Sequence, residues 1–218
     1  MDKKNILKGI SQAKEASKKR NFSQSFDMII NLKDLNLKKP EEQVDLFLQL
    51  PESKKKKVKI CALVGPELKE EAQKVCDLVI DTVEFAKYDG NKQTIKKLAS
   101  EYGYFLAQAN IMGQIAKTFG RVFGPRGKMP NPKAGCVVPP KANLLPVYEK
   151  LQNTVRLLAK TSMVMQVSVG NESMTDEELA HNINNVYEAV VHHLPKEHNN
   201  INSVLLKTTM GKTVRLVQ

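Results

Sequence analysis

The sequence predicts an α/β (α+β) protein of two domains: a discontinuous antiparallel-sheet α+β domain built from both termini, with a Rossmann-like three-layer α/β/α domain inserted into it. Three observations lead there. Apolar residues alternate with period two at 26–32, 44–50 and 163–169, as they do on half-buried antiparallel strands. Between Val58 and Gln152 the pattern changes to short continuous apolar runs separated by helical stretches, the style of a parallel sheet covered on both faces. Finally, residues 1–57 offer one helix and two strands, too few for a core, so the two flanks are expected to fold together. The predicted boundaries are 1–57 with 153–218 for the terminal domain and 58–152 for the insertion, joined by two strands able to act as a hinge. A length of 218 residues suits two such units.

Element by element, Ile6, Leu7, Ile10, Ala13 and Ala16 recur at helical spacing among lysines and predict an amphipathic helix over 3–19. Phe26, Met28, Ile30 and Leu32 then mark one strand, and Val44, Leu46, Leu48 and Leu50 a second, punctuated by Pro40 and Pro51. In the middle, VKICALV, LVID, YFLAQA and CVV read as strands. Helices are expected at PELKEEAQKVCD, near Asn91–Glu101, near Met112–Phe119 and around Leu144–Gln152. TVRLLAK and MVMQVSVG read as strands paired with each other, the second with Met163, Met165, Val167 and Val169 on one face. Thr175 and Glu178 form a capping box ahead of a helix whose Leu179, Ile183, Val186, Tyr187, Val190 and Leu194 share a face until Pro195. SVLLKTTM and TVRLV close the chain as strands.

Charge narrows the function classes. The formal net charge is +11 and the pI about 9.5, which points to polyanionic partners. Its distribution is uneven: no Asp or Glu occurs from Tyr102 to Tyr148, a window holding Lys117, Arg121, Arg126, Lys128, Lys133 and Lys141. After Glu197 the chain again lacks carboxylates while carrying Lys207, Lys212 and Arg215. The longest uninterrupted apolar run, Ile60–Val64, is far below a bilayer span, and the polar MDKKNILKGI does not resemble a secretory leader; a cytosolic protein without a membrane partner is expected. Cys61, Cys76 and Cys136 are odd in number and widely spaced, fitting neither a disulfide framework nor a zinc-ligand pattern.

Catalytic fingerprints fail residue by residue. Gly65-Pro66 after the first inserted strand lacks a G-x-G-x-x-G turn. A phosphate loop at Gly211–Thr213 would need glycine at position 206, which is Leu206, and one at Gly127-Lys128 would need glycine at Val122 and a hydroxyl at Met129. His192, His193, Glu197 and His198 have the wrong spacing for a zinc helix and are interrupted by Pro195; a solvated helix end suits them better. His181 has no obvious partner. No catalytic residue, metal or cofactor is therefore expected, with an RNA- or nucleotide-directed enzyme built on the insertion and a general nucleic-acid coat protein as the rivals.

One stretch stands out: GPRGKMPNPKAG, residues 124–135, combines three glycines, three prolines and three cations with no carboxylate. Glycine allows close backbone approach, proline stiffens, and cations attract phosphate, so a stiff cationic finger is expected. With its preceding phenylalanine, the run Phe123–Gly135 resembles the motif of the ribosomal protein L-one family. K-R-N-F-S-Q-S at Lys19–Ser25 and S-V-L-L-K-T-T-M-G at Ser203–Gly211 carry the same resemblance, while NLKDLNLKKPE and K-T-T-M-G-K look archaeal.

The resemblance implies a non-enzymatic protein of the large-subunit stalk that binds rRNA through the terminal domain. Its RNA-facing residues would be Phe22, Thr208, Thr209, Met210 and Gly211, with Ser203, Lys207, Lys19, Arg20 and Gln24 nearby. The insertion would add secondary RNA or tRNA contacts through Arg126, Gly127, Lys128, Met129, Asn131 and Lys133. Implied partners are stalk rRNA, exit-site tRNA, whose release it would assist, and its own mRNA, whose translation it would repress; free, it would be a monomer. One departure is Asn171, after Gly170, where the family pattern has lysine and a phosphate contact.

Overall fold

The computed structural model describes residues 1–217. It contains two compact units, Met1–Lys56 with Asn153–Gln218, and Lys57–Gln152. Its class is the mixed α/β expected, with antiparallel and parallel sheets.

The first unit opens with helix α1 (Lys3–Glu15), which buries Ile6, Gly9, Ile10 and Ala13 at the spacing that brings one helical stripe onto a core. It stops short of the predicted end at residue 19. Strand β1 (Ser25–Leu32) buries every second residue: Phe26, Met28, Ile30 and Leu32. Strand β2 (Val44–Gln49) follows. After the insertion the chain returns as β7 (Thr154–Ala159), β8 (Val164–Asn171), helix α7 (Asp176–His193), β9 (Ile201–Thr208) and β10 (Val214–Val217). The capping box is present, with Glu178 N–H donating to Thr175 Oγ1 at 3.3 Å and Thr175 N–H to Glu178 Oε2 at 2.8 Å. All six apolar positions predicted for that helix face are buried, each worth about 1.5–3 kcal/mol of transfer free energy.

Pairing departs from expectation. TVRLLAK and MVMQVSVG do not pair with each other: β8 joins a four-stranded antiparallel sheet of order β10-β9-β1-β8, while β7 pairs with β2 in a separate two-stranded ribbon. Arg156 on β7 fastens that ribbon diagonally to Asp45 on β2, with Nε–Oδ1 at 2.9 Å, and its guanidinium lies 5.2 Å from the ring centroid of Phe47, the residue opposite it. Met163 lies just before β8 and is exposed, so only Met165, Val167 and Val169 form the buried face. Helices α1 and α7 pack together on the face of the four-stranded sheet that bears Phe26, Met28, Val204 and Leu206. The opposite face, with Asp27, Ile29 and Lys207, is only half-buried.

The second unit contains a parallel sheet of order β4-β3-β5-β6, formed by β3 (Ile60–Val64), β4 (Leu78–Asp81), β5 (Tyr104–Gln108) and β6 (Val137–Val138). Its helices are α2 (Lys69–Val75), the short α3 (Phe85–Tyr88), α4 (Lys92–Glu101), α5 (Met112–Phe123) and α6 (Leu144–Asn153). β3 is buried throughout, which is why it reads as a continuous apolar run. Phe85, Phe105, Phe119 and Phe123 stack the core beneath α3, α4 and α5, with Phe105 and Phe123 centroids 4.3 Å apart.

Candidate nucleic-acid interface

In the first unit the residues named from the two motifs, Ser203 excepted, converge at one end of the antiparallel sheet. β1 and β9 are adjacent, with Phe26 opposite Thr208, and the ladder runs one step further: Thr209 N–H donates to Ser25 O at 3.0 Å and Ser25 N–H to Thr209 Oγ1 at 3.0 Å. Residues 17–25 are thus held beside residues 207–211, almost the whole chain apart in sequence.

Gln24 is the fastening between them. It is fully buried. Its Nε2 lies 2.9 Å from Ser17 Oγ, 3.2 Å from Lys18 O and 3.0 Å from Glu172 Oε1, and its Oε1 accepts from Met210 N–H at 3.1 Å. Its backbone exchanges bonds with Glu172, whose Oε2 accepts from Gln24 N–H at 3.1 Å. A buried amide satisfied on both ends costs little to keep and much to break.

Thr208 is buried too, and its hydroxyl donates to Ser17 Oγ at 3.0 Å. Gly211 turns the chain back, with its N–H on Thr208 O at 3.1 Å; a Cβ there would stand 2.2 Å from Thr208 Oγ1. No side chain other than hydrogen fits that approach. Ser203 is likewise buried, its Oγ accepting from Asn31 Nδ2 at 2.8 Å.

What this frame presents to solvent is different. Phe22 and Met210 are 52% and 61% exposed, two large apolar side chains with no core to join. Lys19, Arg20 and Thr209 are exposed as well, and Lys207 is half-exposed beside its cross-strand partner Asp27. Burial pushes the Asp27 carboxyl up, against the pull of Lys207 and Lys56. The residues expected to face RNA therefore divide: Gln24 and Thr208 build the surface from within, Phe22, Met210, Thr209, Lys19 and Arg20 form its outside, and Ser203, opposite Asn31 near the other end of β1, lies apart from it because five residues of extended strand separate it from Thr208. Asn171, where the pattern has lysine, ties the chain locally, its Oδ1 accepting from Ser173 N–H at 2.6 Å and from Ser23 Oγ at 3.0 Å. Ser17 and Glu172 belong to the same frame but carry no signal in the sequence, where nothing distinguishes one surface Ser or Glu from another.

In the second unit two cations of the Gly/Pro loop bond back onto the unit, Lys128 half-buried and Arg126 exposed. Arg126 Nη1 donates to Lys96 O at 3.0 Å and lies 2.9 Å from Ser100 Oγ, both on α4. Lys128 Nζ donates to Tyr102 O at 3.2 Å and Gly103 O at 2.9 Å, and burial pushes its ammonium below the usual lysine range. Met129 packs on the core cluster. Gly127, at φ +63°, makes the left-handed turn between these two anchors. Asn131 accepts from Lys133 N–H at 2.9 Å in a local turn, which leaves the Lys133 side chain exposed at the tip. The expected cationic finger is thus a loop stapled to its unit, by Lys128 through the carbonyls of Tyr102 and Gly103 between α4 and β5, and by Arg126, which stays exposed while it bonds the side of α4.

The topological switch point of the parallel sheet lies between β3 and β5, where nucleotides bind in doubly wound folds. Here Gln108, buried, fills that crevice: its Oε1 accepts from Gly65 N–H at 2.8 Å and its Nε2 donates to Glu67 Oε2 at 3.0 Å. Among the described residues no three His, Cys, Asp or Glu side chains come together as metal ligands. His198 is instead 3.0 Å from the Tyr187 hydroxyl through Nδ1.

Comparison with known proteins gives a consistent result. The model of the Ribosomal protein L1p/L10e family matches residues 13–212. The chain is 40% identical to the large ribosomal subunit protein uL1 of Methanothermococcus thermolithotrophicus, over 99% of each chain. It is 42% identical to that of Nanoarchaeum equitans, over 95% of this chain and 99% of the relative, and 39% identical to that of Pyrococcus horikoshii, over 99% and 96%.

Proposed function

Because the chain belongs to the Ribosomal protein L1p/L10e family, we propose that it acts as a large-subunit ribosomal protein that grips the rRNA stalk with the Gln24-framed surface of its terminal unit. It is a structural constituent of the large ribosomal subunit and not an enzyme. The observation that carries the finer assignment is the welding of residues 17–25 to 207–211 by Gln24, Thr208 and Gly211, which fixes two exposed apolar side chains, Phe22 and Met210, in one rigid frame.

Folded RNA is recognised by shape, through unstacked bases and contacts to phosphate and 2′-hydroxyl. A flat aromatic and a thioether offer stacking surface, Thr209 offers a hydroxyl, and Lys19, Arg20 and Lys207 supply cations. Preformed, such a surface loses little entropy on docking. Replacing Phe22 or Met210 by Ala should weaken binding to a stalk rRNA fragment by about tenfold or more, since each stacked base is worth about 1–3 kcal/mol. Filter binding measures it, with denaturant unfolding as control. Parent-like affinity in both variants would contradict the assignment.

The same surface serves a second role in this proposal, repression of the protein's own mRNA through a stalk-like fold. Competition decides it: the stalk fragment should displace the mRNA leader or coding segment mole for mole. Contact with exit-site tRNA and help in its release fall to the inserted unit, where Arg126, Gly127 and Lys133 are exposed and Asn131 is half-buried at the loop.

A further inference from the structure

The cations of the inserted unit gather on a helix face that the loop motif does not include. Helix α5 buries Ile115, Phe119, Val122 and Phe123. On the opposite side, at helical spacing, lie Gly113, Lys117, Gly120, Arg121 and Gly124; Lys117, Arg121 and Gly124 are exposed. A Cβ added at Gly113 or Gly120 would meet nothing within 4 Å, so neither glycine is there to admit a neighbour from within the protein. Glycine inside a helix is unfavourable relative to alanine, and nothing in the packing of α5 requires these two.

The neighbouring helix adds Lys96 and Lys97, and Arg126 bonds α4 directly, through Lys96 O and Ser100 Oγ. Acids around this face are few and engaged: Glu84 pairs with Lys87 at 3.6 Å and Glu101 with Lys59 at 2.7 Å, leaving Asp89 near Lys117 across a small depression. α5 itself carries no carboxylate. On α2 and α6 the charges balance, since Glu70, Glu71 and Glu149 accompany Lys69, Lys74 and Lys150. Lys69 is moreover held by Asp81 at 3.2 Å.

We infer that the solvent face of α5, with Lys117 and Arg121 as its principal contacts and Lys96 and Lys97 beside them, is a second RNA-binding surface that takes the phosphate backbone. The occupant follows from charge complementarity. A backbone carrying one charge per phosphate fits a smooth stripe of small residues flanked by cations, and needs no base-reading group. The glycines of the stripe offer no side chain that would read a base. The inference rests on the chain being an RNA-binding protein, but not on where the specific site lies.

The test uses the full chain. Lys117→Gln with Arg121→Gln removes two exposed charges from α5, and Lys74→Gln with Lys150→Gln removes two from α2 and α6. Binding to the stalk fragment and to duplex RNA is titrated with salt. Two lost phosphate contacts should lower the slope of log K against log salt by about two for the α5 variant, with little change for the control pair. Equal slopes in the two double variants, or a parent slope in the α5 variant, would overturn the inference. Should the parent show no preference for the stalk, the specific-site proposal fails while the slope difference on duplex RNA still decides this one. Melting curves matching the parent confirm that both variants fold.

Discussion

Gln24 and Gly211 show how much of this protein's surface is decided by residues that never meet solvent. The Gln24 side chain makes four polar contacts across three chain segments, so Gln24→Leu should cost about 2–3 kcal/mol through the Met210 amide and Glu172 Oε1 that it leaves without their partner. Urea unfolding measures the loss, and a variant as stable as the parent would mean that the network is incidental. Gly211→Ala forces Thr208 Oγ1 away from a Cβ at 2.2 Å. It should lower stalk-RNA affinity while Met210→Ala, at a more exposed site, leaves stability unchanged. The three thiols supply a further prediction. Burial raises Cys61 well above the usual thiol range, and Cys76 and Cys136 to about 11. A raised thiol pKa stabilises the fold fully below the unfolded value of 9.0 and loses that contribution as pH climbs toward 11. Unfolding free energy should therefore decline between pH 9 and 11, less so in Cys76→Ala; a flat profile would contradict it.

At the scale of elements, α5 and α7 make opposite use of sequence. α7 is capped, acidic in its first turn and apolar along one face, and Thr175→Ala should cost about 1 kcal/mol in a chemical melt. α5 carries glycines where alanine would serve a helix better, and Gly120→Ala should stabilise by about 0.5–1 kcal/mol because open space surrounds it. Periodicity made both helices legible, along with the antiparallel strands, because burial of one face imposes period two or 3.6 on the residues themselves, while β3, buried throughout, was legible as a continuous apolar run. Pairing was not legible in the same way. TVRLLAK is as good a partner for MVMQVSVG as for β2, and only the packing of the whole unit sends it to β2. The anchoring of Lys128 on the Tyr102 and Gly103 carbonyls was equally hidden, since a backbone carbonyl that lacks a donor leaves no trace in the sequence. At the interface, Phe22, Met210 and Gly211 could be named from motifs, whereas the buried roles of Gln24 and Thr208 follow from contacts over more than 180 residues.

For the molecule as a whole, a net charge of +11 draws the chain to any polyanion, and the ribosome is the most concentrated one it meets. Charge alone gives affinity without choice. Choice has to come from shape, and in the proposed function that shape is the frame around Gln24, with α5 adding backbone contacts of lower selectivity. These contributions separate in salt, because counterion release weakens phosphate contacts on every ligand alike. The most direct measurement is filter binding of the parent protein to a stalk rRNA fragment, a matched duplex RNA and duplex DNA from low to high salt. All three affinities should fall, while a large preference for the stalk fragment survives at high salt. Parallel loss on all three ligands would contradict a shape-specific site and leave only a basic surface.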